Sequence, residues 1–313
     1  MKTMNKSMTY LFAAFMSALS VSCISGNGEK QENAKEIDPD SIECFDLEKA
    51  MLDSTTNDYD ENLNGYIYTY QKDTEFEDGR FDNAPDYIAI PAKLRGRPEK
   101  ILMRKGYAVS YNSETKLCNW VAWHLTKQHT YGDEQRPQRA FEDDPDTYNS
   151  THFYDYNKHT DYDRGHMCPA GDNKWDKEAM KQSFLMSNVC PQYCSLNSGV
   201  WNDIEMKCRD WAQMYGDVYI VCGPVFYENR NGKRKLIGRS RIPVPDAFFK
   251  VVLCNHGKGR GIGFLCENRH CHLDLNDYAV SIDNIEKITG MDFFPALPDE
   301  MESNVESVVG VFD

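Results

Sequence analysis

The segment Asp163-Arg164-Gly165-His166-Met167-Cys168-Pro169-Ala170 is followed by Ser187-Asn188-Val189-Cys190-Pro191-Gln192 and then by Asn197, Gly199, Trp201, Glu205 and Arg209. The first run leaves a polar loop and enters a helix-forming stretch, so Gly165 and Pro169 are expected to fix a turn that presents His166. From Asn197 the positions 201, 205 and 209 advance by four. On one continuous helix such residues drift by only about 40° per step and share a broad face. An amide, a carboxylate and a guanidinium would then gather beside the histidine turn. Each part also has a plainer explanation. The four-residue run can be a surface turn, Asn197 an N-cap, Trp201 core, and Glu205 with Arg209 an ordinary i,i+4 pair worth about 0.3–0.5 kcal/mol.

Outward from this stretch the chain alternates short strands and helices. Gly106 to Tyr111 and Trp120 to Leu125, separated by Asn112-Ser113, predict a hairpin. Residues 130–160 are polar and rich in Pro and Asp, and read as a long functional loop. Helical spacing covers Lys174 to Ser187 and, more strongly, Asn197 to Tyr215, where Val200, Trp201, Ile204, Cys208, Trp211 and Ala212 trace an apolar face. Val218 to Cys222 predicts a buried strand stopped by Gly223-Pro224. Further strands are expected at Phe248 to Cys254 and Gly261 to Leu265, and a helix from Asn276 to Thr289 ending at Gly290. The order is mixed and without βαβ repetition, which predicts an α+β fold.

The flanks differ from the middle. Residues 1–23 read as an export signal, with Lys2 and Lys6 ahead of a short apolar run from Leu11 to Val21. That run is too short to span a bilayer. It ends at Cys23 in a context similar to a bacterial lipobox, so the expectation is lipidation at Cys23 and a periplasmic or cell-surface address, with simple secretion as the alternative. A lipid at Cys23 would be the only contact with a membrane. Residues 24–86 carry 18 acidic and 5 basic side chains and read as an acidic tether, with a short helix expected near Phe45–Leu52. Residues 301–313 read as an acidic tail. The whole chain has a net charge of −14, yet residues 87–290 hold 28 basic and 25 acidic residues. A slightly basic middle permits phosphate contacts, which need Lys and Arg. Ten cysteines remain after Cys23, an even number that suggests disulfides in an oxidising compartment, with buried thiols as the other option.

These residues resemble the DNA/RNA non-specific endonuclease family, which includes secreted bacterial nucleases and mitochondrial endonuclease G relatives. The D-R-G-H motif is Asp163 to His166, the N-x-x-P-Q motif Asn188 to Gln192, and the N-x-G-x-W-x-x-x-E-x-x-x-R helix Asn197 to Arg209. The likeness continues at Asn119-Trp120-Val121, at Arg139 before Asp144-Pro145, at Val221 to Pro224, at Ala247 to Lys250 and at Thr289 to Phe294, and so covers residues 87–298. It implies a nuclease domain over residues 87–300, built on a mixed, mainly antiparallel sheet with a ββα-metal active site. It implies Mg²⁺, with Mn²⁺ able to substitute, and hydrolysis of DNA and RNA to 5′-phosphate and 3′-hydroxyl ends. By the same resemblance His166 is the general base, Asn197 the direct metal ligand, and Glu205 acts through metal-bound water. Arg139 and Arg164 face phosphate, and Arg209, Asn188 and Gln192 shape the site, with Asn188 and Gln192 counted among the substrate-binding residues. A homodimer is left open.

The residue types suit that chemistry. A water attacking phosphorus must lose a proton, and a neutral imidazole can take it. Mg²⁺ keeps several waters and needs few protein oxygens. Arginine offers a planar fork to phosphate oxygens. Two alternatives stand beside this reading: an enzyme of the same fold with a narrower substrate range or a toxin role, and a silent nucleic-acid-binding relative. His270-Cys271-His272 lacks a fourth ligand for zinc, and neighbours on a strand point to opposite faces. The basic run Asn229 to Lys235 is either a steering patch or a solvated hairpin turn.

Overall fold

The computed structural model describes residues 86–148, 151–156, 161–227, 234–254, 259–270 and 274–312. The export signal with Cys23, nearly all of the tether with its expected helix, the Asn229–Gly232 turn, Cys271 and His272 lie outside the described residues.

The strands are β1 (Lys100–Met103), β2 (Ala108–Asn112), β3 (Leu117–Thr126), β4 (Tyr162–His166), β5 (Val189–Tyr193), β6 (Asp217–Val225), β7 (Leu236–Ile237), β8 (Ile242–Pro243), β9 (Ala247–Cys254), β10 (Arg260–Glu267) and β11 (Ala279–Val280). The helices are α1 (Lys177–Gln182), α2 (Cys194–Ser198), α3 (Val200–Tyr215), α4 (Ile282–Thr289) and α5 (Asp299–Glu306). Seven strands form one antiparallel sheet in the order β1-β2-β3-β6-β9-β10-β11, while β4 pairs with β5 and β7 with β8. The fold is therefore α+β, with a mainly antiparallel core.

Strand alternation divides the interior into two layers of packing. Phe248, Val252 and Cys254 of β9, with Val218, Ile220 and Cys222 of β6, pack against Trp201, Ile204, Cys208 and Trp211 of α3. Their neighbours Phe249, Val251, Leu253, Tyr219 and Val221 pack on the other side with Ile282 and Ile285 of α4, Val305 of α5, Phe293 and Phe294. Both faces of this antiparallel sheet are covered, which is why β6 and β9 read as unbroken apolar runs. The β4–β5 ladder and α3 belong to the first side, and α4 with α5 to the second.

Several expected elements are redrawn. The hairpin forms, with a bulge at Ser110/Tyr111. Strand β6 runs on through Gly223-Pro224 because β3 pairs with it only as far as Cys222; beyond that point Pro224 is on a free edge toward β3 and pairs only with Phe248 of β9. The long helix expected from Asn197 breaks at Gly199, where a Cβ would collide with the Ser195 carbonyl. Asn197 therefore sits on α2, and Gly199 is the residue before α3. Asn276 to Thr289 is not one helix: a 3-10 turn and β11 precede α4, whose Ser281 side chain caps Asn284 N and whose end is closed by left-handed Gly290. Of Lys174 to Ser187 only α1 is α-helical. The acidic C-terminal stretch is not a loose tail. It carries most of α5, and Phe312 stacks on Trp211 at 4.3 Å. The expected disulfides are also absent among the described residues, where Cys118, Cys168, Cys190, Cys208 and Cys222 are buried thiols.

Phe249 joins β9 to the second side and contacts Phe293 at 5.4 Å. Phe249→Ala should destabilise the protein by about 3–5 kcal/mol, read as a lowered urea midpoint. A shift below 1 kcal/mol would show that this side of the sheet is not packed as described.

Candidate active site

The site is built on the β4–β5 ladder, in which His166 pairs with Val189, Gly165 with Cys190 and Arg164 with Pro191. Asp163 to His166 is thus strand rather than turn. Gly165 is required because the Gln192 side chain lies across it, and a Cβ would collide with Gln192 Oε1. Where the two strands converge, Asn188 uses its whole amide as a clamp. Its Oδ1 accepts from Cys168 N at 2.9 Å, and its Nδ2 donates to Cys168 O and Ser183 O at 2.8 Å. The backbone adds Met167 N to Asn188 O at 2.9 Å. Asn188 and Gln192 are both fully buried, so they shape the site from inside instead of offering a surface to a substrate.

At the other end of β4, Asp163 ties the strand to α2. Oδ2 accepts from Asn197 Nδ2 at 3.0 Å, and Oδ1 accepts from Cys194 Sγ at 3.2 Å. Committing the Asn197 nitrogen to Asp163 leaves its carbonyl oxygen Oδ1 as the atom available to a ligand.

His166 closes β4 between two phenyl rings, 5.2 Å from Phe141 and 4.9 Å, edge-on, from Phe184. Its Nε2 has no hydrogen-bond partner among the described residues. Burial, with the Arg136 charge adding to it, pulls the imidazole down to about 3, so the ring is neutral through the physiological range. The same two phenyl rings carry guanidinium groups. Arg136 lies 4.9 Å over Phe184 and Arg164 5.1 Å over Phe141, while Arg164 Nε donates to Phe153 O at 3.0 Å. Arg136 was not singled out by the sequence, where it is one basic residue in a polar loop three positions before Arg139. Arg139 itself is exposed and in the left-handed region at φ 53°.

Glu205 and Arg209 sit on α3 but do not pair with each other. Arg209 Nη1 instead donates to the buried Asp172 at 2.7 Å, whose other oxygen accepts from Trp123 Nε1 at 3.1 Å. Glu205 is half-buried and makes no hydrogen bond among the described residues. Burial pushes its carboxyl up to about 7, against the pull of Lys250 and Arg209. Lys250, on β9 beneath the helix, was read only as part of a resemblance. It is completely buried, with its ammonium 4.2 Å from the Trp201 ring and 5.6 Å from that of Trp123. Burial works against its charge, but Cys222, Glu205, Cys208 and Asp172 together hold it above the usual lysine value. Two cations and two carboxylates therefore share one side of the sheet.

The residues include a neutral imidazole, guanidinium groups beside it, and two oxygen donors, Asn197 Oδ1 and the Glu205 carboxylate. Oxygen donors left without protein partners are what a hard divalent cation takes, so these residues suit such an ion.

The sequence model of a family described as DNA/RNA non-specific endonuclease matches residues 86–300. The mitochondrial nuclease EXOG of Danio rerio is 33% identical over 216 residues, covering 64% of this chain and 63% of that protein. Human mitochondrial endonuclease G is 30% identical over 207 residues, covering 61% and 68%. Nuclease C1 of Cunninghamella echinulata var. echinulata is 31% identical over 217 residues, covering 64% and 85%. The chain spans about three fifths of the length of the EXOG proteins it matches. Among solved structures, that of the EndoG/EndoGI complex superposes with a TM-score of 0.60 at 23% identity, covering 65% of this chain and 89% of the other, a likeness of fold.

Gly165→Ala should force the Gln192 side chain off the ladder, at a cost of about 1–3 kcal/mol for overpacking. The expected result is a lowered urea midpoint together with loss of any activity that depends on His166. Unchanged stability would mean that β4 and β5 are not in this register.

Proposed function

Because the chain belongs to the DNA/RNA non-specific endonuclease family, we propose that it is a metal-dependent nuclease that hydrolyses DNA and RNA phosphodiester bonds with His166 as the general base. The observation that carries this reading is the imidazole of His166, neutral, with Arg136 and Arg164 stacked on the two rings that enclose it. Arg164 and Arg136 hold the oxygens of the scissile phosphate. The His166 imidazole takes a proton from the water that attacks phosphorus. The bond from phosphorus to the 3′-oxygen breaks, leaving a 5′-phosphate and a 3′-hydroxyl. A base as weak as this buried ring becomes stronger once a phosphodiester lies beside it, because the added negative charge favours imidazolium. Asn197 would hold Mg²⁺ directly and Glu205 through water, with Mn²⁺ as a substitute. Bound there, the cation supplies positive charge to the phosphate and to the leaving oxygen. Arg209 contributes by keeping Asp172 paired and α3 in place, while Arg139, exposed at the mouth of the loop, is free to reach the backbone of a longer substrate.

Nothing in this set reads base edges, and phosphate contacts position a nucleic acid without specifying its sequence. Since water is the nucleophile, the 2′-hydroxyl has no role, so both sugars are accepted. In this reading the enzyme is exported and lipid-anchored at Cys23, or otherwise secreted, which the short apolar run from Leu11 to Val21 behind Lys2 and Lys6 supports.

His166→Ala should lower turnover by about 10²–10⁴-fold with little change in substrate binding. The assay is digestion of matched end-labelled DNA and RNA with Mg²⁺ or EDTA, with the product ends identified. Activity in EDTA, or cleavage of RNA alone to 2′,3′-cyclic phosphates, would overturn the mechanism.

The metal requirement should depend on pH through Glu205. A carboxyl raised to about 7 by burial is ionised only above that value. At limiting Mg²⁺ the rate should therefore fall as pH drops through about 7, and additional Mg²⁺ should restore it. Glu205→Gln should abolish this dependence and raise the Mg²⁺ midpoint roughly 10–100-fold, and Asn197→Ala should raise it further. An acid limb that persists unchanged in Glu205→Gln would assign the titration to a group other than Glu205.

A further inference from the structure

On the face of the sheet opposite His166, we propose that Asp283, Glu286 and Glu306 form a second divalent-cation site, of calcium type, which fastens the C-terminal helix to the domain. Asp283 and Glu286 are a turn apart on α4, and Glu306 ends α5. One carboxylate oxygen from each lies within 4.8 Å of the other two. Three like charges at that spacing repel, and the chain gains nothing from gathering them unless something positive is shared.

The buried member points to what is shared. Glu306 is only 5% exposed, and its Oε1 has no hydrogen-bond partner among the described residues. A buried carboxylate oxygen left unpaired is costly, and such groups are paired or coordinate metals. Glu286 already accepts from Phe293 N at 2.7 Å through Oε1, which anchors the side chain and leaves Oε2 for the site. Asp283 and Glu306 line a cleft together with Asp292, Asp299 and Glu302, and none of the described residues lining it is basic.

The donor set identifies the cation. All donors are carboxylate oxygens, which suit hard ions. Three carboxylates are more than Mg²⁺ usually takes from a protein, because it keeps most of its waters, whereas Ca²⁺ is commonly held by several carboxylates. The site is separate from Asn197 and Glu205, because Ile282, Ile285 and Val305 pack with Phe249 and Leu253 whereas Trp201 and Ile204 pack with Phe248 and Val252.

The test uses the full-length chain carrying Asn197→Ala, which weakens cation binding at the candidate active site, and its readouts are binding and Tm rather than nuclease activity. Calorimetric titration with calcium chloride should find one calcium per chain, and saturating calcium should raise Tm by roughly 5 °C. Adding Glu306→Gln should raise Tm in EDTA by relieving repulsion and should abolish both the titration and the calcium shift. Asp283→Asn, at a more exposed position, gives the same comparison if the Glu306 variant does not fold. Magnesium should bind more weakly. Absence of calcium binding in the Asn197→Ala chain, or an undiminished shift in both acidic variants, would overturn the proposal and would mean that these carboxyls are held together by shared protons.

Discussion

The candidate active site depends on a two-stranded ladder being pinned at both ends. A pair of five-residue strands outside the main sheet has little stability of its own. Asn188 pins one end by spending its amide on Cys168 and Ser183. Asp163 pins the other by holding Cys194 and Asn197. Between the pins, Gly165 lets Gln192 lie flat across the ladder, and Arg164 and His166 are left facing the aromatic pair Phe141 and Phe184. The motif residues are thus of two kinds. Asp163, Gly165, Asn188 and Gln192 set the geometry, and Arg164, His166 and Asn197 are the ones proposed to meet a ligand.

The second constraint is electrostatic. Lys250, Glu205, Asp172 and Arg209 are brought together on one side of the sheet, where a single unmatched charge would be costly. Asp172 is satisfied by Arg209 and Trp123. Lys250 is matched less directly, through the faces of Trp201 and Trp123 and the nearby carboxylates. What remains is Glu205, a carboxylate whose ionisation is opposed by burial and favoured by cations. A group in that balance responds strongly to one more positive charge, and this suits it to a site that admits a metal ion.

Much of this was legible in the sequence, and the failures have physical causes. The β2–β3 hairpin, β6, β9, β10 and the apolar face of α3 follow from alternation and from 3.6-residue spacing. The break at Gly199 was missed because Asn197, Trp201, Glu205 and Arg209 keep helical spacing across it, and spacing cannot see a carbonyl in the way of a Cβ. The continuation of β6 through Pro224 was missed because a proline is read as a stop unless the pairing on each side is known. The C-terminal stretch is rich in acidic residues, so its composition concealed that Val305 and Phe312 are docked. Arg136 and Lys250 carried no local signal. Their placement depends on which aromatic rings lie beside them, and that is a tertiary fact.

The two sides of the sheet are not independent, because β9 serves both. Phe248 and Lys250 face α3, while Phe249 and Val251 face α4 and α5. Interiors packed at crystal-like density do not absorb displacement locally. A shift of α5 against β10 therefore presses on β9 through Phe249 and Leu253, and β9 carries the ammonium that Glu205 faces. Phe312 makes a second connection by stacking on Trp211 of α3, the helix that bears Glu205 and Arg209. Holding the C-terminal helix in place thus steadies the helix of the candidate active site by two routes, one through the sheet and one around its edge.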